Sequence, residues 1–269
     1  MIWINGEPET HLAANDRAVQ FGDGCFTTAR LINGKVVALE QHIERLSQAC
    51  QRLQIAHVDW RALRREMIAI GYGQDEGVLK VILSRGTGGR GYSAQGCEQP
   101  TRILSVFPYP AHYHQLRQRG VRLALSTVRL SRNPLLAGIK HLNRLEQVLI
   151  RTELEQTGAD EALVLDTEGM LVECCAANLF WRRGEKVFTP DLSHAGVNGI
   201  QRQHVIRLLR GQGIAVEEVR TPPEILASVD EVVITNALMP VLPVYQIENW
   251  RWNSRQLFEL ISHHDNQHG

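Results

Sequence analysis

Residues 161–190 read EALVLDTEGMLVECCAANLFWRRGEKVFTP. The first half, EALVLDTEGMLVECC, is a β-rich apolar run, a turn at Glu168-Gly169, and a second such run. NLFWRRGEKVFTP, from Asn178 to Pro190, is another hairpin. These strands follow one another with no helix between them. A parallel pair needs a crossover of a dozen or more residues, usually a helix. The chain is therefore no strict βαβ repeat, and an α+β class is expected.

The same reading extends in both directions. TARLINGKVVAL holds two β-rich runs around Asn33-Gly34, a strong hairpin signal. HIERLSQACQRL carries Ile43, Leu46, Cys50 and Leu53 at helical spacing, and a second helix is expected near WRALRREMIAI. VLKVILSR, TRILSVFPYP, VRLALSTVRL and EVVITNAL read as strands, and GIQRQHVIRLLRGQG and SRQLFELISHH as helices. A helix after Lys140 is expected to bury the stripe Leu142, Leu145, Val148 and Leu149. AHYHQLRQRG reads as a polar connector. The expected domains are residues 1–112, a connector over 113–120, and residues 121–269.

Lys and Arg number 29, as do Asp and Glu, so the net charge is zero. That balance argues against nucleic acid or an anionic membrane as the main partner. No apolar run approaches the roughly 18 residues of a membrane span, and MIWINGEPET lacks the basic and apolar blocks of a secretory signal. Cys25, Cys50, Cys97, Cys174 and Cys175 form no C-x-x-C pair, so reduced thiols in a cytoplasmic protein are expected and a zinc site is not. His263 and His264, in ISHHDNQHG, are expected in a disordered end rather than at a metal.

RGTGGRG contains a literal G-x-G-x-x-G at Gly86, Gly88 and Gly91, after an expected strand. A dinucleotide fingerprint needs a helix to begin there, because the helix N-terminus receives the pyrophosphate. The continuation YSAQGCEQPT is turn chemistry. Two other readings stay open: a flexible loop, or a loop carrying Arg90 and Tyr92 toward a substrate carboxylate. A non-catalytic nucleotide-binding module built on this loop is the alternative from a different function class.

AGIKHLNRLEQVLI, from Ala137 to Ile150, places Lys140 before an amphipathic run. A lysine of lowered pKa forms Schiff bases with aldehydes. If the aldehyde is pyridoxal phosphate, three helpers are needed: an acid for the pyridine nitrogen, backbone N–H groups for the phosphate, and a cation. Glu173, in the apolar LVECCAANLF, is a candidate acid, though taken alone an edge-strand carboxylate facing water is the plainer reading. GVNGIQRQ puts Gly199 and Ile200 at a helix start. TNAL puts Asn236 and Ala237 at a strand end. Arg45 flanks the HIERLSQ stripe, where a surface role is the plainer reading.

Taken in order, QFGDGCFTTAR, HIERL, AGIKHLNRLEQVL, ECCAANLFW, GVNGIQRQ and VITNALMPV resemble the fold-type IV pyridoxal-phosphate enzymes. That family holds branched-chain and D-amino-acid aminotransferases and a lyase branch acting on 4-amino-4-deoxychorismate. RAVQFGDGCFTTAR, LSRGTGGRGYS and AGIKHLNRLEQVLIR are similar to the lyase branch. The resemblance implies two α+β domains with pyridoxal 5'-phosphate in the cleft between them, and a homodimer. It implies that Lys140 carries the cofactor and shuttles protons, and that Glu173 pairs with the pyridine nitrogen. Arg45, with the amides around Gly199, Ile200, Asn236 and Ala237, would bind the phosphate. Val197 would pack on the ring face, with Asn178 nearby.

The D-amino-acid enzymes of the family carry R-x-H where this chain has Arg90-Gly91-Tyr92, and aminotransferase members carry a tyrosine where Phe26 stands. Both departures suit a larger substrate. The implied reaction is release of pyruvate from 4-amino-4-deoxychorismate to give 4-aminobenzoate, a folate precursor. The alternative within the family is transamination of branched-chain or D-amino acids. Arg90, Tyr92, Tyr109, Phe26 and Thr28 are the candidate substrate residues.

Overall fold

The computed structural model describes residues 1–239 and 241–265. They pack as two compact units, Met1–Tyr109 with Ile139–Asn143, and Pro110–Gly138 with the described residues from Arg144 onward.

The first unit holds a six-stranded antiparallel sheet. Its strands are β1 (Ile2–Ile4), β2 (Glu7–Pro8), β3 (Gly24–Ile32), β4 (Lys35–Val36), β5 (Glu76–Ser84) and β6 (Thr101–Phe107), in the order β2-β1-β6-β5-β3-β4. The β3–β4 hairpin turns on Asn33 and Gly34, at φ of 49° and 76°. Two consecutive positive φ values are what a two-residue primed turn demands, so Asn-Gly at this spot is a steric requirement met. Helix α1 (Arg17–Phe21) precedes β3, and α2 (Leu39–Leu53) and α3 (Trp60–Gly71) cover the sheet. Leu31, Leu79, Leu83 and Leu104 of the sheet meet Leu46, Leu63 and Met67 of the helices in one core. No helix follows the glycine loop; the next regular element is β6. The dinucleotide-cradle alternative therefore lacks the helix it needs.

The second unit is built on a nine-stranded mixed sheet. Its strands are β7 (Val121–Leu130), β8 (Glu161–Asp166), β9 (Leu171–Cys174), β10 (Asn178–Arg183), β11 (Lys186–Pro190), β12 (Val216–Val219), β13 (Glu231–Thr235), β14 (Leu242–Ile247) and β15 (Trp250–Arg251). Their order is β12-β11-β10-β13-β14-β7-β8-β9, with β15 paired to β14. The run 161–190 forms two antiparallel pairs, β8–β9 and β10–β11, as its turns require. Three pairs are parallel: β7–β8, β7–β14 and β11–β12. Helices α4 (His112–Arg119), α5 (Leu145–Leu154), α6 (Ile200–Gly211) and α7 (Gln256–Asp265) complete the unit. Alternation along β10 sends Trp181 into one core and Phe180 into another, where Phe180 packs with Val205 and Leu209 of α6 and Ile261 of α7.

Three expectations are corrected here. AHYHQLRQRG is no connector: it forms α4, whose Leu116 enters the second unit's core, and the units divide at Tyr109-Pro110. The helix expected after Lys140 is α5, which begins at Leu145. Of the expected buried stripe, Leu142 lies before the helix, and Leu145, Val148 and Leu149 are 77%, 58% and 57% exposed; Ile150 and Leu154 are the buried residues of α5. His263 and His264 belong to α7, and residues 266–269 lie outside the described chain.

Candidate active site

Candidate residues occur in each of the two units. In the first unit, Lys140 sits in an extended segment that pairs with the start of β3. The Phe26 amide donates to the Lys140 carbonyl at 2.9 Å, the Leu142 amide donates to the Gly24 carbonyl at 3.0 Å, and Cys25 bridges His141. Backbone pairing on both sides fixes where this lysine stands. Its Nζ lies 4.6 Å from the centroid of the Phe26 ring. Phe26, Thr28 and Arg30 alternate onto the half-buried face of β3, while Cys25, Thr27, Ala29 and Leu31 turn into the buried one. Arg30 stacks over the Tyr109 ring at 4.4 Å. Lys80 is Thr28's direct partner across the β3–β5 ladder, and its Nζ lies 5.4 Å from the same Phe26 ring. This second cation was not singled out from the sequence, although a lone lysine in the apolar VLKVILS was its signal.

Arg45, the cation of HIERL, is half-buried on α2 rather than a plain surface residue. Burial lowers its pKa to about 10, so it remains charged at neutral pH. Its Nη1 donates to the Thr27 hydroxyl at 3.5 Å. Arg90 and Tyr92 occupy the exposed glycine loop. Tyr92 is 89% exposed, with its ring 5.4 Å from that of Phe21. The loop is tied down by buried Arg17, whose guanidinium donates to the carbonyls of Gly91 at 3.1 Å, Tyr92 at 3.3 Å and Ser93 at 3.1 Å. Its Nε pairs with Asp23 at 2.8 Å, and Arg85 holds the same carboxylate at 2.7 Å. Although burial opposes it, the bonds from Arg85 and Arg17 hold the Asp23 carboxyl below its usual range.

In the second unit, Glu173 lies on edge strand β9, yet it is 5% exposed and does not face water. Its Oε2 accepts from the Val197 amide at 2.8 Å. The Val197 carbonyl in turn accepts from Asn178 Nδ2 at 2.9 Å, so one backbone unit is held from both sides. Gly196, at φ +85°, makes this possible: a Cβ there would stand 2.6 Å from Val172 Cγ1 and 3.4 Å from Glu173 Cδ. The turn is further pinned by Gly138, which donates to the Gly196 carbonyl at 2.8 Å and accepts from Asn198 at 3.1 Å.

Gly199 is the N-cap of α6, Ile200 its first residue, and no side chain caps this helix start. Arg202, 3% exposed, braces the turn with donations to Asn198 Oδ1 at 3.0 Å and the Pro190 carbonyl at 2.9 Å. Asn236 follows β13. Its Oδ1 accepts from the Leu238 and Met239 amides at 2.9 and 2.8 Å, and its Nδ2 donates to the Ala176 carbonyl at 2.9 Å. Asn178 faces Thr235 across the β10–β13 ladder, so Asn178 and the Asn236-Ala237 turn lie at one end of the sheet. The second unit thus gathers a buried acid, an uncapped helix N-terminus and a tight turn. No described group of His, Cys, Asp and Glu could hold a metal ion.

Residues 24–247 match the profile of the family described as amino-transferase class IV. The chain belongs to that family. An aminodeoxychorismate lyase of Vibrio harveyi is 40% identical to this class IV chain over 244 residues, 91% of this chain and 90% of the relative. Among solved structures, the 4-amino-4-deoxychorismate lyase of Pseudomonas aeruginosa superposes with a TM-score of 0.94 at 36% identity, covering 99% of this chain and 98% of that one. A hypothetical aminotransferase of Mycobacterium tuberculosis in a PLP-bound form shares the fold, at TM-score 0.85, 20% identity and coverage of 98% and 96%. The expected fold-type IV, α+β class is therefore the observed one.

Proposed function

We propose that this class IV chain is a pyridoxal-phosphate-dependent lyase that converts 4-amino-4-deoxychorismate into 4-aminobenzoate and pyruvate. The observation that carries the reading is 40% identity over nine-tenths of both chains to a relative named as that lyase. The residues fit the cofactor. Helix α6 opens at Gly199 without a side-chain cap, and a Cβ on Gly199 would overlap Asn178 Oδ1. A phosphate suits such a helix start. Glu173 is a buried carboxylate already oriented by an amide, which suits a ring nitrogen that must keep its proton.

When bound, pyridoxal phosphate supplies an electron sink for the substrate carbon that loses its proton. Lys140 would hold the cofactor, and its freed Nζ would take the proton from the amine-bearing ring carbon. Glu173 would keep the pyridine nitrogen protonated. Arg45 and the amides around Gly199, Ile200, Asn236 and Ala237 would hold the phosphate, and Val197 would lie on the ring face. Loss of the ether oxygen then releases pyruvate and leaves an aromatic ring, which makes the elimination downhill. Substrate carboxylates need cations. Lys80 joins Arg90, Tyr92, Tyr109, Phe26 and Thr28 as a candidate, because it shares the Phe26 ring with Lys140.

The family description favours one second reading, transamination through the same Lys140 and Glu173. A coupled assay on synthase-made substrate separates the two. The lyase yields pyruvate and an aromatic amine; the transaminase yields a keto acid and a new amino acid. Lys140→Ala is expected to abolish turnover and the cofactor's visible band. Unchanged turnover in that variant would sink the enzyme reading. The proposal includes a homodimer, supported by the exposed apolar face of α5, and a cytoplasmic location, supported by five free cysteines. No helix among the described residues is long and apolar enough to cross a membrane.

A further inference from the structure

Behind Arg45 lies a buried polar pair. Thr27 on β3 is 0% exposed and His42 on α2 is 1% exposed. Thr27 Oγ1 and His42 Nδ1 are 2.6 Å apart, and Arg45 Nη1 reaches the same Thr27 oxygen at 3.5 Å. His42 and Arg45 are three residues apart on one helix and so share a face.

The donor inventory orders these contacts. A guanidinium has no acceptor, so the Thr27 oxygen accepts from Arg45. The imidazole is held neutral: burial first, and the Arg45 charge second, push its pKa down to about 3. A neutral ring either accepts the Thr27 proton at Nδ1 or donates from it, and a hydroxyl oxygen has two lone pairs. In either tautomer the Thr27 oxygen keeps a lone pair for the guanidinium.

We infer that Thr27 and His42 are positioning residues for Arg45: the imidazole holds the Thr27 hydroxyl in place, and the oxygen so held fixes the guanidinium for the cofactor phosphate. This rests on the proposed role of Arg45 as a phosphate ligand. A buried hydroxyl and imidazole that served the core alone would support folding but would be indifferent to the phosphate group.

The test compares pyridoxal 5'-phosphate with pyridoxal, which lacks the phosphate, on the full chain reloaded with either one. Dissociation constants are read from the cofactor's absorbance band. Arg45→Ala is expected to erase most of the preference for the phosphorylated form. Thr27→Val is expected to weaken pyridoxal-phosphate binding about tenfold while leaving pyridoxal within about twofold, the scale of one lost hydrogen bond to a charged group. Thr27→Ser, which restores the hydroxyl, is expected to recover the preference. His42→Leu reads the same contact from its other end, so the result does not hang on one variant folding.

If Arg45→Ala loses the preference while Thr27→Val and His42→Leu keep it, the positioning role is wrong and the phosphate role stands. Equal weakening of both ligands in those two variants also overturns it, since the pair then acts on the fold. Should Arg45→Ala keep the preference, the phosphate role of Arg45 fails, and the inference with it.

Discussion

Gly199 and Glu161 show how single positions bear on the site. A Cβ at Gly199 would overlap Asn178 Oδ1, and Asn178 holds the Val197 carbonyl at 2.9 Å. Gly199→Ala is therefore expected to cost about 1–3 kcal/mol of stability and to weaken cofactor binding. Adding Asn178→Ala removes the overlapping atom, so the double variant should be less impaired than the sum of the singles. Chemical denaturation of all three proteins checks this, and strict additivity would refute it. Glu161, buried on β8, accepts from the Ala162 amide at 2.8 Å and the Ala176 amide at 3.2 Å. Ala176 is the residue whose carbonyl holds Asn236. Burial outweighs these amides and the Arg151 charge and raises the Glu161 pKa from 4.5 to about 7. Between those two values the folded chain keeps a proton that the unfolded chain has released. This group's contribution to stability therefore falls as pH rises through that window and is level above it. Glu161→Gln is expected to flatten that part of the pH dependence, read from denaturation midpoints across the window; an unchanged slope would assign it to another group.

At the scale of elements, the glycine loop is the instructive case. Its sequence resembles a phosphate cradle, but no helix follows it. What holds it is Arg17, 4% exposed, whose guanidinium gathers three consecutive loop carbonyls while Asp23 neutralises it. Lysine offers three donors on a point charge and cannot span that set. Arg17→Lys is expected to speed tryptic cleavage after Arg90 severalfold relative to cleavage elsewhere; equal rates at all sites would show that the loop is held by other contacts. The helix signals in HIERLSQACQRL and the Asn33-Gly34 turn were legible, because both depend on neighbours in sequence. The helix in AHYHQLRQRG was not. Its apolar content is slight, and it forms because Leu116 finds a core supplied by strands far along the chain.

At the scale of the molecule, α5 leaves Leu145, Val148 and Leu149 in solvent. An apolar face of that kind on one helix suits a second copy of the chain. Leu149→Asp is expected to shift the species seen in analytical ultracentrifugation from dimer to monomer without lowering the thermal midpoint of the monomer. A wild-type chain that sediments as a monomer would remove the homodimer from the proposal.

The α+β class is written in local sequence, because turns at Glu168-Gly169 and Asn33-Gly34 follow from backbone conformations that only certain residues adopt cheaply. The sequence also offered Lys140, Glu173, Gly199 and Asn236 as candidates by residue type and placement, and the resemblance to a family gave each its expected role. Long-range packing, by contrast, buries Glu173 on its edge strand, since a turn from elsewhere in the chain offers it the Val197 amide. The same packing brings Thr27 and His42 together beside Arg45, and Arg17 to residues 91–93. Those contacts join positions far apart in sequence. Burial and hydrogen-bond partnership are properties of such long-range packing, and no local pattern carries them.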